Sequence, residues 1–156
     1  MFNIQKEKSH QFQFGQKANW LGQIIQKIPP SKWDKHFKLS PEKKTVFITG
    51  GSLGAKNINQ GIMHALPQLL EQNIQVIWQT GKSFTEQVDK KSGYISQFIY
   101  EMNLAFNAAD IVISRAGAIS ISEICALKKP SILVPSPNVT DDHQTKNAEA
   151  LSSKGA

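Results

Sequence analysis

Thr45-Val-Phe-Ile-Thr-Gly-Gly-Ser-Leu-Gly-Ala55 passes from a β-branched apolar run into a glycine turn, and an amphipathic stretch, Asn57 to Leu70, follows at once. The run Thr45–Thr49 is too short for a helix and carries no polar alternation, which predicts a strand covered on both faces. Ile58, Ile62, Leu66 and Leu69/Leu70 recur at helical spacing, so the next segment is predicted helical, with Pro67 weakening only its last turn. Glycines at 50, 51 and 54 allow backbone angles that a side chain forbids and let the main chain approach a ligand closely. A strand, a glycine turn and a helix N-terminus together present N–H groups and a positive dipole end, which suits a phosphate. The same residues also make a plain tight turn, and both possibilities stand at this level.

Strand and helix signals alternate outward from there. Strands are predicted at 45–49, 74–79, 97–100, 111–115 and 131–135, with helices at 57–70, 83–92, 102–109, 118–128 and 142–153. This alternation, with apolar strands, predicts an α/β fold: a Rossmann-like parallel sheet with helices on both faces. Before it, Trp20, Leu21, Ile24, Ile25 and Ile28 fall on one helical face that Pro29-Pro30 stops, and Ser31 is a candidate cap for a short helix holding Trp33 and Phe37. Gly155 has the position of a helix C-cap leading into another strand, so the fold is expected to be incomplete at its C-terminus.

A chain of 156 residues with 40% hydrophobic and 19% charged residues fits one ordinary globular domain. No apolar run approaches the roughly 18 residues of a membrane span, and the first residues lack the apolar core of a secretory signal, so an intracellular chain is expected. Cys125, the single cysteine, shares an apolar helical pattern with Ile121 and Ile124 and is expected to be buried. The net charge of +6 is concentrated: residues 1–44 carry nine lysines against Glu7, Asp34 and Glu42, whereas residues 45–156 are balanced. A nucleic-acid protein would place its basic residues on the folded domain, so no nucleic-acid partner is expected. Aromatic residues between those lysines suit either an anionic membrane surface or a solvated linker with a few anchors.

Two motifs are decoys. Gly50-Gly51-Ser52-Leu53-Gly54 does not match the dinucleotide pattern G-x-G-x-x-G, and Thr80-Gly81-Lys82-Ser83 lacks the upstream glycine of a phosphate-binding P-loop, with Val76 in its place. Ser114-Arg115-Ala116-Gly117-Ala118-Ile119-Ser120-Ile121-Ser122-Glu123 repeats the device of the first turn, at the end of a strand and the start of a helix. In an open parallel sheet, ligands bind beyond the carboxyl ends of the strands, so two such turns can grip a diphosphate between them. Ser120 and Ser122 offer hydroxyls, and Glu123 either accepts both hydroxyls of a ribose or is a solvated carboxylate favoured by the helix dipole. In Asp141-Asp142-His143-Gln144-Thr145-Lys146-Asn147, a metal site is disfavoured because helix neighbours do not converge, and an aspartate N-cap is expected. Gln144 and Asn147, three residues apart, can offer amides to sugar hydroxyls.

Thr49-Gly-Gly-Ser-Leu-Gly-Ala55, Phe98-Ile-Tyr-Glu-Met102, Ala109-Asp110, Ser114-Arg-Ala-Gly-Ala118, Ser122-Glu-Ile124, Pro130, Val134-Pro135 and Asp142-His-Gln-x-x-Asn-Ala148 occur in one order. In that order they resemble the C-terminal half of the MurG family of bacterial glycosyltransferases, collinearly from about Lys43 to the end. The resemblance implies the donor-binding domain of a GT-B enzyme that transfers N-acetylglucosamine from UDP-N-acetylglucosamine to lipid I, forming lipid II for peptidoglycan. It implies residues 43–156 as that domain, residues 1–42 as a basic arm or interdomain linker, and a peripheral location on the cytoplasmic face of the cell membrane.

Carried over position by position, the resemblance implies Ser52 at the donor, Ile99 against the uracil with Met102 nearby, and Ala118, Ile119, Ser120, Ile121 and Ser122 around the diphosphate. It further implies Glu123 on the ribose hydroxyls, and His143 and Gln144 at the amino sugar; Arg115 either joins this pocket or braces the loop. The implied chemistry is an inverting displacement with no metal or cofactor, its general base and lipid I site in an N-terminal domain. Family members carry Gly-Asn-Pro-Val-Arg where the chain leaves that domain; the counterpart here, Gly22-Gln-Ile-Ile-Gln26, lacks the proline and arginine and competes with a helix over 20–28. An alternative is a donor-binding subunit of a split glycosyltransferase that needs a separate membrane partner.

Overall fold

The computed structural model describes residues 26–89, 91, 93–137 and 142–153. Its elements in chain order are α1 (Pro30–Phe37), β1 (Thr45–Thr49), α2 (Lys56–Glu71), β2 (Gln75–Gln79), β3 (Gly93–Ser96), α3 (Met102–Ala108), β4 (Ile111–Ser114), α4 (Ala118–Leu127), β5 (Ser131–Leu133) and α5 (His143–Ser152). The strands pair in parallel in the order β3-β2-β1-β4-β5. The predicted α/β architecture is therefore present. The candidate helix over 20–28 and the candidate cap Gly155 lie outside the described residues, wholly or in part.

β1 and β2 are buried along their whole length, as expected for strands covered on both faces. Their side chains alternate between two cores. Phe47, Ile77 and Val112 point into one, with Phe37 and Leu39 from the α1 segment, Ala105 and Phe106 from α3, and Ile124 from α4. Val46, Ile48, Val76 and Trp78 point into the other, against Ile58, Ile62 and Leu66 of α2. Phe47 and Phe106 meet edge to face at 5.1 Å between ring centroids, a geometry favoured by the aromatic quadrupole.

Several sequence expectations fail, each for a physical reason. Residues 84–89 are not helical: Phe84 and Val88 do pack against the α2 core, but the Phe84 N–H turns back to the Gly81 carbonyl and Asp89 Oδ1 takes the Lys91 N–H. β-Branched Thr85 and Val88 add little helical propensity to oppose these local bonds. The strand expected at 97–100 lies at Gly93–Ser96, because that segment pairs with Val76–Gln79; the aromatic Phe98 and Tyr100 belong to the loop after it. Ser31 lies inside α1, whose N-cap is Pro29 and whose first position is Pro30, where a missing N–H costs nothing. Cys125 is exposed, on the side of α4 that faces an open groove beside β5.

The lower edge of the sheet is held by charge. Asp110, just before β4, accepts from Lys44 Nζ and from the Thr45 N–H, both at 2.8 Å. Burial pushes the Asp110 carboxyl up, but those two hydrogen bonds and the positive charges of Lys44 and Lys129 outweigh it and hold it below its ordinary value. Lys129 is lowered by burial, against the pull of Asp110, and it donates to the Ala109 carbonyl at 2.6 Å.

At the upper edge two glycines interlock. Gly54 and Gly81 both have φ of +81°, and a β-carbon on Gly81 would stand 2.2 Å from the Gly54 Cα, while one on Gly54 would stand 2.2 Å from the Thr80 oxygen. The decoy Thr80-Gly81-Lys82-Ser83 thus has a role: its glycine is the floor of the first turn. Gly81→Ala is expected to lower unfolding free energy by about 2–4 kcal/mol in urea titration, whereas Gly61→Ala, in α2 with open space around it, should raise it by about 0.5–1 kcal/mol. A depressed Asp110 pKa stabilises the fold above the ordinary aspartate range and stops doing so as pH falls through the lowered value. The urea midpoint of the parent chain should therefore exceed that of Asp110→Asn at pH 6, and the difference should shrink as pH falls below the ordinary aspartate range.

Candidate functional site

The strand order reverses direction between β1 and β4: from β1 the chain proceeds to β2 and β3 on one side, then crosses to β4 and β5 on the other. Such a switch point leaves a crevice beyond the carboxyl ends of the two strands, because their following helices depart to opposite faces. Thr49 and Ser114, the last residues of β1 and β4, are register partners. The two turns singled out in the sequence are therefore neighbours across this crevice.

On the β1 side the Gly54 N–H closes the turn on the Gly51 carbonyl at 3.1 Å, with Ser52 and Leu53 exposed at its tip. Gly51 has φ of +84°, and a β-carbon on Gly50 would lie 2.4 Å from the Ala55 nitrogen. α2 then starts at Ala55 with no side-chain cap. On the β4 side α4 starts at Gly117, again with no side-chain cap. Neither N-cap residue bonds its helix through a side chain, although Asn57 Oδ1 accepts the Ile58 N–H at 3.0 Å in the first turn of α2; the two helix N-termini open from adjacent strands, an arrangement that favours an anion.

The side chains around the crevice brace its loops. Arg115 Nη1 donates to the carbonyls of Val134 at 3.2 Å and Pro135 at 2.8 Å, and Nη2 donates to Asn57 Oδ1 at 2.5 Å. It therefore ties the β4 turn to the loop after β5 and to the first turn of α2, and partial burial lowers its pKa from a very high ordinary value. Of the two roles open for Arg115 in the sequence, this geometry is the brace. Asn147 donates to the Ala116 carbonyl at 3.1 Å, and Gln144 Oε1 accepts the Ser136 N–H at 2.9 Å. These amides thus hold loops, leaving the Gln144 NH2 as the end of that side chain that can face a ligand.

The remaining candidates sort by exposure. Ala118 and Ile119 are exposed on the first turn of α4, and Ser120 and Ile121 are half-buried. Ser122 is exposed, but its hydroxyl donates to the Ala118 carbonyl at 2.8 Å. Glu123 is buried, at 4% exposure, which corrects the alternative of a solvated carboxylate. His143 is exposed at the start of α5. Asp142 precedes α5 but does not cap it: its backbone is left-handed, with φ of +52°, and its carboxylate accepts from Thr145 Oγ1 at 2.6 Å. Asp141 lies outside the described residues. Among the described residues no group of three or more His, Cys, Asp or Glu is placed to hold a metal.

Ile99 is buried at 1% exposure and lies beyond β3, two strands from β1. Its link to the crevice is Gln79, whose Oε1 accepts the Ile99 N–H at 2.9 Å. Sequence reasoning passed over Gln79. Its signal was a glutamine ending the apolar run Val76-Ile77-Trp78, at the ligand-facing end of a buried strand. A large open groove of about 710 Å3 lies elsewhere, along β5 between α4 and α5, with Ile124, Leu133, Ala148 and Leu151 in its walls.

Residues 45–156 match the family model described as the glycosyltransferase family 28 C-terminal domain. A protein of Parabacteroides distasonis named UDP-N-acetylglucosamine–N-acetylmuramyl-(pentapeptide) pyrophosphoryl-undecaprenol N-acetylglucosamine transferase is 53% identical over 127 residues, covering 77% of this chain and 34% of that protein. A protein of the same name from Bacteroides thetaiotaomicron is 53% identical over 150 residues, covering 89% of this chain and 40% of its own length. The crystal structure of Acinetobacter baumannii MurG superposes with a TM-score of 0.60 at 29% identity, over 85% of this chain and 40% of that one. The chain thus spans 34–40% of these two relatives. With the parallel sheet, the switch-point crevice and a family match that runs from the first residue of β1 to residue 156, this chain belongs to the glycosyltransferase family 28 C-terminal domains, a Rossmann-like GT-B half.

Proposed function

We propose that this chain supplies the donor-binding half of an enzyme that transfers N-acetylglucosamine from UDP-N-acetylglucosamine to undecaprenyl-pyrophosphoryl-muramoyl-pentapeptide, lipid I, to form lipid II. The observation that carries the proposal is the pair of helix N-termini without side-chain caps at the ends of adjacent strands β1 and β4. The name of the Parabacteroides relative supports the choice of nucleotide sugar and of lipid-linked acceptor. Residues 43–156 then form the donor domain, and residues 1–42 an arm leading into it.

The diphosphate lies between the glycine turn with Ser52 and the first turn of α4, Ala118 to Ser122. The uracil meets the chain at Ile99, the buried Glu123 accepts the ribose hydroxyls, and His143 with the Gln144 NH2 addresses the amino sugar. In the transfer, the 4-hydroxyl oxygen of the muramyl sugar bonds to the anomeric carbon as that carbon's bond to the UDP oxygen breaks, and UDP leaves with the electron pair. Backbone donors already aimed at the diphosphate stabilise that growing charge without reorganising, and one such donor is worth roughly 3 kcal/mol. None of these residues is the base that takes the hydroxyl proton; that group belongs to the acceptor-binding half. Work at the cytoplasmic membrane surface follows from the lipid acceptor, and among the described residues no helix is long and apolar enough to cross a membrane.

UDP titrated into the chain should saturate and shift the backbone amide resonances of Gly50–Ala55 and Ala118–Ser122. A titration without saturation, or with shifts confined to other loops, overturns the proposal. Glu123→Gln should weaken UDP on the order of 10- to 100-fold, as expected for a lost charge-assisted hydrogen bond. It should also erase the preference for UDP over 2′-deoxy-UDP; a preserved preference removes Glu123 from the ribose.

A further inference from the structure

Gln79 is buried at 3% exposure and ends β2, the strand between the glycine turn and the loop that holds Ile99. Its carboxamide uses both ends. Nε2 donates to the Gly51 carbonyl at 3.0 Å and to Thr49 Oγ1 at 3.2 Å, and Oε1 accepts the Ile99 N–H at 2.9 Å. The Gly51 carbonyl is also the acceptor that closes the turn, from the Gly54 N–H at 3.1 Å. Thr49 Oγ1 in turn accepts the Gly51 N–H at 3.2 Å. One planar amide therefore joins the last residue of β1, the turn that follows it and the loop after β3. Gly81, packed on Gly54 and donating its N–H to the Gln97 carbonyl at 3.1 Å, touches both loops from the backbone side, and the Gln79 amide is the side-chain bridge between them.

We infer that Gln79 is a positioning residue that couples the glycine turn to the Ile99 loop, so that the phosphate and nucleobase ends of the nucleotide site move as one unit. The assignment of those ends rests on the proposed donor site; the coupling itself does not. A planar group hydrogen-bonded at both ends transmits a displacement of either loop to the other. A nucleotide that touches both ends then meets a site whose spacing is already set, whereas a ligand touching one end gains nothing from the link.

The coupling is read without ligand by amide hydrogen exchange on the whole chain. Gln79→Met keeps the length of the side chain and removes its hydrogen bonds. The Ile99 amide, which loses its acceptor, should exchange about tenfold faster. The Gly54 amide, which is not bonded to Gln79, should also accelerate, by at least about threefold relative to Ile62 of α2 as the reference for global opening. An unchanged Gly54 rate overturns the coupling. The reciprocal variant Thr49→Val disturbs only the β1 side and keeps the Gln79–Ile99 bond, so it tests the link even if Gln79→Met does not fold. Faster exchange at Ile99 relative to Ile62 is expected there, and no change overturns the coupling.

Nucleotide binding separates this inference from the function it rests on. Gln79→Met should lose about tenfold more affinity for UDP than for uridine, since only UDP spans both ends. Equal losses for the two ligands overturn the positioning role. If the parent chain binds neither UDP nor uridine, the donor site is wrong, while the exchange experiment still decides whether the two loops are coupled.

Discussion

The position of β1 is the constraint on which the rest depends. It is buried along its length and paired in parallel on both sides, with β2 and with β4. A parallel neighbour on each side requires a crossover on each side, and the two crossovers leave the sheet on opposite faces. The crevice above β1 and β4 follows from this connectivity before any side chain is considered. What the side chains decide is how firmly the loops around that crevice are held.

They are held mainly by polar side chains bonding to backbone. Arg115 takes two loop carbonyls, Asn147 takes the Ala116 carbonyl, and Gln144 takes the Ser136 N–H. Behind the first turn, Asn59 is buried on α2, donating to the Thr80 carbonyl and accepting from Trp78 Nε1. These bonds satisfy groups that would otherwise be costly to bury. They also restrict each turn to one geometry, and the interlocked Gly54 and Gly81 restrict it further by leaving no room for a side chain.

Most of the fold was legible because its signals are local. β1, α2 and α4 were marked by apolar runs or helical periodicity, and their observed bounds differ from expectation by at most a residue or so. The failures fell where a distant partner decided the outcome. Phe98 and Tyr100 have strong strand propensity, but the register with β2 ends at Ser96; beyond it the Gln97 carbonyl accepts from Gly81 in the turn after β2, and the Ile99 N–H is taken by the Gln79 side chain. Cys125 follows the apolar pattern of α4, yet one flank of that helix faces an open groove, which periodicity cannot reveal. In the site, the glycine turns and the 118–123 segment were legible from residue type. The braces were not, because a glutamine or an arginine beside a strand says nothing of which carbonyl it will meet.

The distribution of polar groups also limits the kind of chemistry these residues can contribute. An acid–base catalyst needs a titratable side chain whose proton is available to the substrate. At this crevice the glycine turn and the α4 start present backbone, Arg115 braces two carbonyls and an amide, Glu123 is buried on the second turn of α4, and His143 is an exposed imidazole at the start of α5. Backbone N–H groups cannot exchange protons with a substrate at a useful rate, but they can oppose negative charge without moving. A site of this composition is suited to gripping a nucleoside diphosphate and steadying it as it departs.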